Sequence, residues 1–377
     1  MSRPQTPPHE PRYNVHVAPT TISQLIRTAF PNIELVSSFE LTSHKGYNNR
    51  LYLLTVRRRG GPSCVFRDTN AAERELVLKA NGRFFLADKV QNEVGCLQVL
   101  GQYCPAIPTP VVFAWSEEGH DVCLASPAGS ETKNVALAIP DGEKQHGGWI
   151  LMSRLPGAPL SVCDLDEVSR LDIMRQLAGV TASWRTDIPA QMFIGNVQFH
   201  QPVHASEPDF VIVKNSGPRP QNLVVRGMLV DELRITTPIT SVTEQYTQPS
   251  RFVFPHYDLS PRNILVGGSP PQISGIVDFE FAGFFPPVEE FLNDAVGNEG
   301  DWPDHLYAAY LAELEARGVA TPAAGIGAAE WETARCLERV ADNVAPWWLP
   351  GKYTGSALEE QFAKSAAELR ENMRKLS

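Results

Sequence analysis

The segment FPHYDLSPRNILV, Phe254–Val266, places His256, Asp258 and Asn263 in one turn-like stretch that runs into an apolar strand. A second carboxylate follows at Asp278, within ISGIVDFEFAGF. Taken singly, Asp258 and Asn263 are residues that Asx turns use to satisfy local backbone. Taken together, two carboxylates and an amide beside two apolar runs suit another task. Moving a phosphoryl group needs a carboxylate to orient or deprotonate the acceptor hydroxyl, hard oxygen ligands for Mg²⁺, and a cation on the nucleotide phosphates. One carboxylate and one amide oxygen suffice for Mg²⁺, which keeps several of its waters. Asp258, Asn263 and Asp278 supply those groups. His256 reads as an orienting hydrogen-bond partner. No other histidine has ligand spacing to it, so a zinc site does not fit.

These groups converge if ILVGG and ISGIVDF pair as the arms of a hairpin, which brings Asn263 and Asp278 together. Upstream, GYNNRLYLLTVRR, SCVFRD and ERELVLKA are β-branched and aromatic runs separated by turn residues, expected as strands of an antiparallel sheet. TISQLIRTAF reads as a short capped helix. In LADKVQNEVGCLQVLGQY, Val90, Val94, Leu97 and Leu100 fall at helical spacing, with Asp88 as N-cap. CPAIPTPVVFAW and GWILMSRLPGAPL add strands, and the second breaks at Pro156-Gly157, a candidate hinge. Helical patterns follow in DEVSRLDIMRQLAGVTASW, with an apolar face through Leu171, Met174, Leu177, Ala178 and Thr181, and around Pro303–Arg317, Ala328–Val344 and Leu358–Leu376. The polar stretch Ser126–Gly148 reads as an excursion between strands, and Glu207–Ser250 has no clear pattern.

The outline is an α+β fold in two lobes. Residues 1–19, rich in proline, read as a disordered tail. Residues 20–155 form a lobe built on an antiparallel sheet with one key helix, and residues 156–377 a mainly helical lobe. The 377-residue chain is 43% hydrophobic and 20% charged, enough to bury a sizeable core. A formal net charge of −10 argues against a broad nucleic-acid-binding face. No apolar run is long enough to cross a membrane. The six cysteines show no CxxC pair and no regular framework, and no secretory pattern opens the chain, so free thiols in a cytoplasmic protein are expected.

HYDLSPRNILV followed by IVDFEFAGFFPP resembles the catalytic loop and metal-binding segment of the aminoglycoside phosphotransferase and choline kinase family, small-molecule kinases with a bilobal protein-kinase-like fold. The resemblance implies that Asp258 receives or orients the hydroxyl proton, with His256 beside it, and that Asn263 and Asp278 hold Mg²⁺. It also demands a strand lysine and a helix glutamate upstream. Lys79 in ERELVLKA and Glu93 in QNEVGCL meet that demand, and Glu93 borders the apolar face of its helix. Taken alone, Lys79 reads as an edge-strand lysine. Lys89 is the rival phosphate lysine, and its place beside the helix start suits a surface residue. SHKGYNNRLYLL stands where a protein kinase has a glycine-rich loop; Asn48 and Asn49 either approach the ATP phosphates or form the tip of a hairpin turn.

The resemblance therefore implies an ATP- and Mg²⁺-dependent transfer of the γ-phosphate to a hydroxyl of a small molecule, an amino-alcohol, an aminoglycoside-like compound or another metabolite. A protein kinase on the same fold and a non-catalytic nucleotide-binding scaffold are the rivals. Against the first stand the missing glycine-rich loop and the missing alanine-proline-glutamate motif. Against the second stands the complete set of expected residues. Arg262, where many relatives have glycine, either touches a phosphate or pairs with Glu280. The acidic run Glu289, Glu290, Asp294, Glu299, Asp301 and Asp304 either holds an amine-bearing acceptor or is a solvated helix face.

Overall fold

The computed structural model describes residues 10–41, 48–61, 63–67, 69–82, 87–125, 135–136, 148–191, 195–199, 210–213, 252–292, 302–344, 346 and 349–376. The excursion expected over 126–148 and the unassigned 207–250 lie largely outside them. The chain divides into two compact units. The first comprises Met1–Gln102, Pro108–Pro156 and Val197–Val211, and the second Tyr103–Ile107, Gly157–Asn196 and Ile212–Ser377. The fold is mixed helix and sheet, as the sequence pattern implied.

In the first unit, helix α1 (Pro19–Ala29) precedes strands β1 (Ile33–Glu40), β2 (Asn49–Arg58) and β3 (Glu73–Asn81). Helix α2 (Ala87–Tyr103) follows, then β4 (Val112–Ser116), β5 (Asp121–Leu124), β6 (Val135–Ala136) and β7 (Trp149–Ser153). The strands form one sheet in the order β1-β2-β3-β7-β4-β5-β6, every neighbouring pair antiparallel. Because side chains alternate along a strand, Leu76, Leu78 and Ala80 of β3 enter the core with Tyr52, Leu54 and Val56 of β2 and Ile22, Leu25 and Ile26 of α1. Lys79, between Leu78 and Ala80, points to the opposite face.

Three local expectations are corrected. SCVFRD is not a strand: Ser63 Oγ accepts from Val65 N–H and starts a 3-10 turn over Cys64–Phe66. The first helix has no side-chain cap; Pro19 opens it, its missing N–H costing nothing at that position. Asp88 lies inside the first turn of α2 rather than at its N-cap, still well placed for the helix dipole. Residues 10–19 of the expected tail are among those described. Val15 and Val17 are buried in the core, Val17 N–H donates to Tyr52 Oη at 2.8 Å, and Arg50 donates to the Arg12 carbonyl at 3.0 Å.

The second unit is mainly helical. After β8 (Ala158–Pro159), helix α3 (Glu167–Asp187) starts at Asp166, whose carboxylate accepts from Ser169 N–H at 2.7 Å. It buries Ile173, Met174, Leu177, Ala178, Thr181 and Trp184, so Ile173 takes the place expected of Leu171. Strands β9 (Asn196–Phe199) and β10 (Phe210–Val213) pair with each other at the boundary of the two units' sequence ranges. Strands β11 (Ile264–Gly267) and β12 (Gln272–Ile276) form the expected hairpin, extended by β8 on the β11 side. Gly157 has φ +97°, and a Cβ there would stand 2.6 Å from the Val266 carbonyl, so the turn into β8 requires glycine. Helices α4 (Asp304–Ala316), α5 (Ala328–Val344), α6 (Leu349–Lys352) and α7 (Gly355–Leu376) complete the unit.

Candidate active site

In the second unit the 3-10 turn Pro261–Asn263 leads directly into β11. Ile264 is registered opposite Ile276, and Val277 N–H donates to the Asn263 carbonyl at 2.9 Å. The hairpin therefore sets Asn263 beside the chain that carries Asp278. Asp278 itself adopts a left-handed backbone, φ +71°, ψ +55°, which aspartate tolerates better than most residues.

Asp258 is 7% exposed. Its Oδ1 accepts from Arg262 Nη2 at 2.7 Å, and its Oδ2 from Asn263 Nδ2 at 3.1 Å. Asn263 Nδ2 also donates to the Asp258 carbonyl at 2.8 Å. The amide nitrogen is thus committed to Asp258, and Oδ1 is the end of Asn263 that suits a hard cation. Burial pushes the Asp258 carboxyl up from 3.8 to about 7; Arg262 opposes that shift, and Asp278 and Glu280 reinforce it.

His256 is fully buried. Its Nδ1 accepts from Asp258 N–H at 3.2 Å and its Nε2 faces the Val277 carbonyl at 3.0 Å, which assigns the proton to Nε2. The ring packs on Phe279, centroids 4.4 Å apart. Both ring nitrogens are spent, and the imidazole ties the Asp258 loop to the Asp278 segment, as an orienting group should.

Glu290 is the residue that sequence reasoning misread. With Glu289 it was grouped in an acidic run open to solvent or to an amine; both are at most 2% exposed. Glu290 Oε2 accepts from His256 N–H at 3.2 Å and from Arg185 Nη2 at 3.3 Å, and its Oε1 accepts from Tyr257 N–H at 3.1 Å. It anchors the backbone of the loop carrying Asp258. The signal available in sequence was its place in a hydrophobic frame, PPVEEFL. Asp294, Glu299 and Asp301 lie outside the described residues. Arg262 pairs with Asp258, a partner that neither of its two readings named.

In the first unit Lys79 Nζ donates to Glu93 Oε2 at 2.6 Å, both side chains under 10% exposed. Lys79 stands on β3 between β2 and β7, in the sheet interior, so the edge-strand reading does not hold. Helix α2 is held by buried Asn92, whose Oδ1 accepts from Val197 N–H at 2.8 Å, and by Gly95, where a Cβ would meet Val197 at 2.9 Å. Lys89 is 2% exposed rather than a surface residue, and its Nζ donates to Asn49 Oδ1 at 2.8 Å. Asn48 is half-buried beside it.

Comparison with known proteins fits this arrangement. Residues 230–326 match the model of the phosphotransferase enzyme family. That is the family that HYDLSPRNILV and IVDFEFAGFFPP resembled. Among curated proteins none matches the chain. Among solved structures the chain is similar to the gentamicin–APH(2")-IIa complex, at 11% identity and a TM-score of 0.50, over 95% of this chain and 99% of that one. It is also similar to a thermostable mutant of aminoglycoside phosphotransferase APH(4)-Ia in ternary complex with ADP and hygromycin B, at 13% identity and a TM-score of 0.49, covering 94% and 98%. A third is the macrolide 2'-phosphotransferase MphH from Brachybacterium faecium, at 14% identity and a TM-score of 0.47, covering 92% and 97%. At these identities the likeness concerns the fold alone. No helix among the described residues is long and apolar enough to cross a membrane.

Proposed function

We propose that this protein is an ATP- and Mg²⁺-dependent small-molecule kinase that moves the γ-phosphate to a hydroxyl of its acceptor. The observation that carries the reading is the buried Asp258 carboxylate, oriented through His256 and bonded to Asn263, in a segment matching the phosphotransferase family. The first unit serves as the nucleotide-binding lobe and the second as the catalytic and acceptor-binding lobe.

Asp258 accepts or orients the hydroxyl proton at one of its carboxylate oxygens, and a raised pKa suits a base working near neutral pH. Asn263 Oδ1 and the Asp278 carboxylate would hold Mg²⁺, which neutralises charge on the phosphates when bound. Within the first unit, Lys79, fixed by Glu93, is the lysine for the nucleotide phosphates, with Asn48 and Asn49 as further phosphate-binding residues. The chemistry needs no covalent phosphoenzyme, because in-line transfer requires only positioning and charge stabilisation.

The test is a metabolite screen with purified protein, ATP and Mg²⁺, read by the mass gain of one phosphate. A phosphorylated product formed by the wild type and lost in Asp258→Ala supports the reading. Unchanged turnover in Asp258→Ala rejects Asp258 as base, and Mg²⁺-dependent nucleotide binding that survives Asp278→Ala rejects the metal assignment.

A further inference from the structure

We propose that residues 10–17, which the sequence places in a tail, are a positioning element of the nucleotide site: they strap the start of β2, where Asn48 and Asn49 stand, and so set the affinity for nucleotide phosphates. The inference rests on the reading of Asn48 and Asn49 as phosphate-binding residues and deepens it. Side chains alternate along β2, so Asn49 and Leu51 share one face and Arg50 and Tyr52 the other. Asn49 is registered opposite Asn81 and Leu51 opposite Lys79, which puts Asn49 on the face that carries Lys79. On that face Lys89 Nζ donates to Asn49 Oδ1 at 2.8 Å from helix α2.

The other face of β2 is held by the segment. Arg50 Nη2 donates to the Arg12 carbonyl at 3.0 Å, and Arg50 Nη1 pairs with Glu40 of β1. The Arg12 carbonyl also accepts from Val15 N–H at 3.2 Å, so the segment turns back on itself where Arg50 takes hold. Val17 N–H donates to Tyr52 Oη at 2.8 Å, and Val15 and Val17 are buried in the core. Pro11 completes the strap beyond the end of β3. A Cβ added at Gly82 would overlap the Asn48 carbonyl and stand 2.7 Å from Pro11 Cβ, so Gly82 lies packed between Pro11 and the Asn48 backbone. A binding backbone that is fixed beforehand spares the ligand the free energy of ordering it, and a loosened one does not. The segment therefore acts on the nucleotide through Asn48 and Asn49, as a support behind them.

The experiment titrates the full chain with ATP and Mg²⁺ by calorimetry and measures chemical unfolding in parallel. The proteins are the wild type, Gly82→Ala, Arg50→Met, Arg50→Lys, Asn48→Ala and Asn49→Ala. Gly82→Ala must push Pro11 and Asn48 apart, and Arg50→Met keeps the apolar stem while losing the bonds to Arg12 and Glu40. Each is expected to raise the Kd for ATP at least about tenfold. Arg50→Lys keeps a cation for Glu40 and a donor for the Arg12 carbonyl, and should stay within about threefold of the wild type. Should Gly82→Ala not fold, the two Arg50 variants carry the test. A segment that served folding alone would lower the unfolding midpoint and leave the Kd of the folded protein where it was. An unchanged Kd in Arg50→Met, with binding weakened in Asn48→Ala or Asn49→Ala, overturns the proposal and leaves the phosphate-binding reading standing. Binding unchanged in both asparagine variants, or absent from the wild type, removes that reading and this inference with it.

Discussion

Glu290 accepts the backbone N–H of Tyr257 at 3.1 Å, and Tyr257 holds a left-handed backbone with φ +74°. A bulky residue in that region costs about 1–2 kcal/mol, so it persists only where its surroundings over-determine it. Glu290 supplies that constraint by also holding His256 N–H and Arg185, and the Tyr257 hydroxyl donates to Glu338 at 2.9 Å. The turn so fixed delivers Asp258 one residue later.

Replacing Glu290 tests whether the anchor matters to chemistry as well as to folding. Glu290→Ala leaves Arg185, with 7% of its side chain exposed, without this carboxylate, and is expected to cost about 3–5 kcal/mol of stability. Glu290→Gln keeps the shape and one acceptor, so the expected loss is smaller, about 1–3 kcal/mol. Chemical denaturation measures both. In whichever variant remains folded, kcat should fall while nucleotide affinity holds, because Glu290 positions the loop that carries the proposed base and not the proposed nucleotide lysine.

The Lys79–Glu93 pair predicts a contrast between single and double variants. Both groups are almost completely buried, so removing one leaves a buried charge that costs about 3–5 kcal/mol. Lys79→Met or Glu93→Leu alone should lower the melting temperature. The double variant, with an apolar pair of similar volume, should recover most of that loss. If ATP stabilises the wild type thermally, as the proposed function expects, neither single variant nor the double should show that stabilisation. A double variant that regains ATP stabilisation would sink the assignment of Lys79 to the phosphates.

Much of this was legible in the sequence, for a physical reason. The hairpin of β11 and β12 has alternating apolar arms on either side of turn residues, so local pattern alone sets Asn263 beside the Asp278 segment. Lys79 and Glu93 lie on elements with clear strand and helix periods, and their pairing follows from packing one on the other. Glu290, Lys89 and the segment from residue 10 were not legible. The burial of each depends on partners far away in sequence: Arg185 for Glu290, Asn49 for Lys89, Tyr52 for Val17. Arg262 was visible as an oddity, but its bond to Asp258 is a matter of turn geometry that spacing does not reveal.

The cysteines give a test of burial. All six are free thiols. Burial pushes Cys104 up to about 11 and Cys123 to about 12, and raises Cys96, Cys64 and Cys336 as well. At pH 8 a thiol with a pKa near 11 is ionised about one part in a thousand, and the thiolate is the reactive form. In the native protein, half-buried Cys163 is expected to alkylate first, with Cys96, Cys104 and Cys123 protected until the chain unfolds. Peptide mapping after brief iodoacetamide treatment reads the order directly, and early labelling of Cys123 would contradict the fold of β5.

Asp258 makes a prediction about stability and pH that follows chiefly from its burial. Its carboxyl stands near 3.8 in the unfolded chain and at about 7 in the folded one. Between those values the folded chain holds one proton more than the unfolded chain, so raising the pH through that window removes stability. The shift of about three units corresponds to about 4 kcal/mol, lost progressively from about pH 4 to about pH 7 and constant above. Asp258→Asn keeps the shape and removes the titration. The variant should therefore match the wild type in stability near pH 4 and exceed it by up to about 4 kcal/mol at pH 8, with Mg²⁺ and nucleotide absent. Denaturant titrations of both proteins across pH 4–8 measure the difference. A gap that stays constant with pH would mean that Asp258 is solvated like an ordinary surface carboxylate, and the proposed role of Asp258 as a buried base would fall.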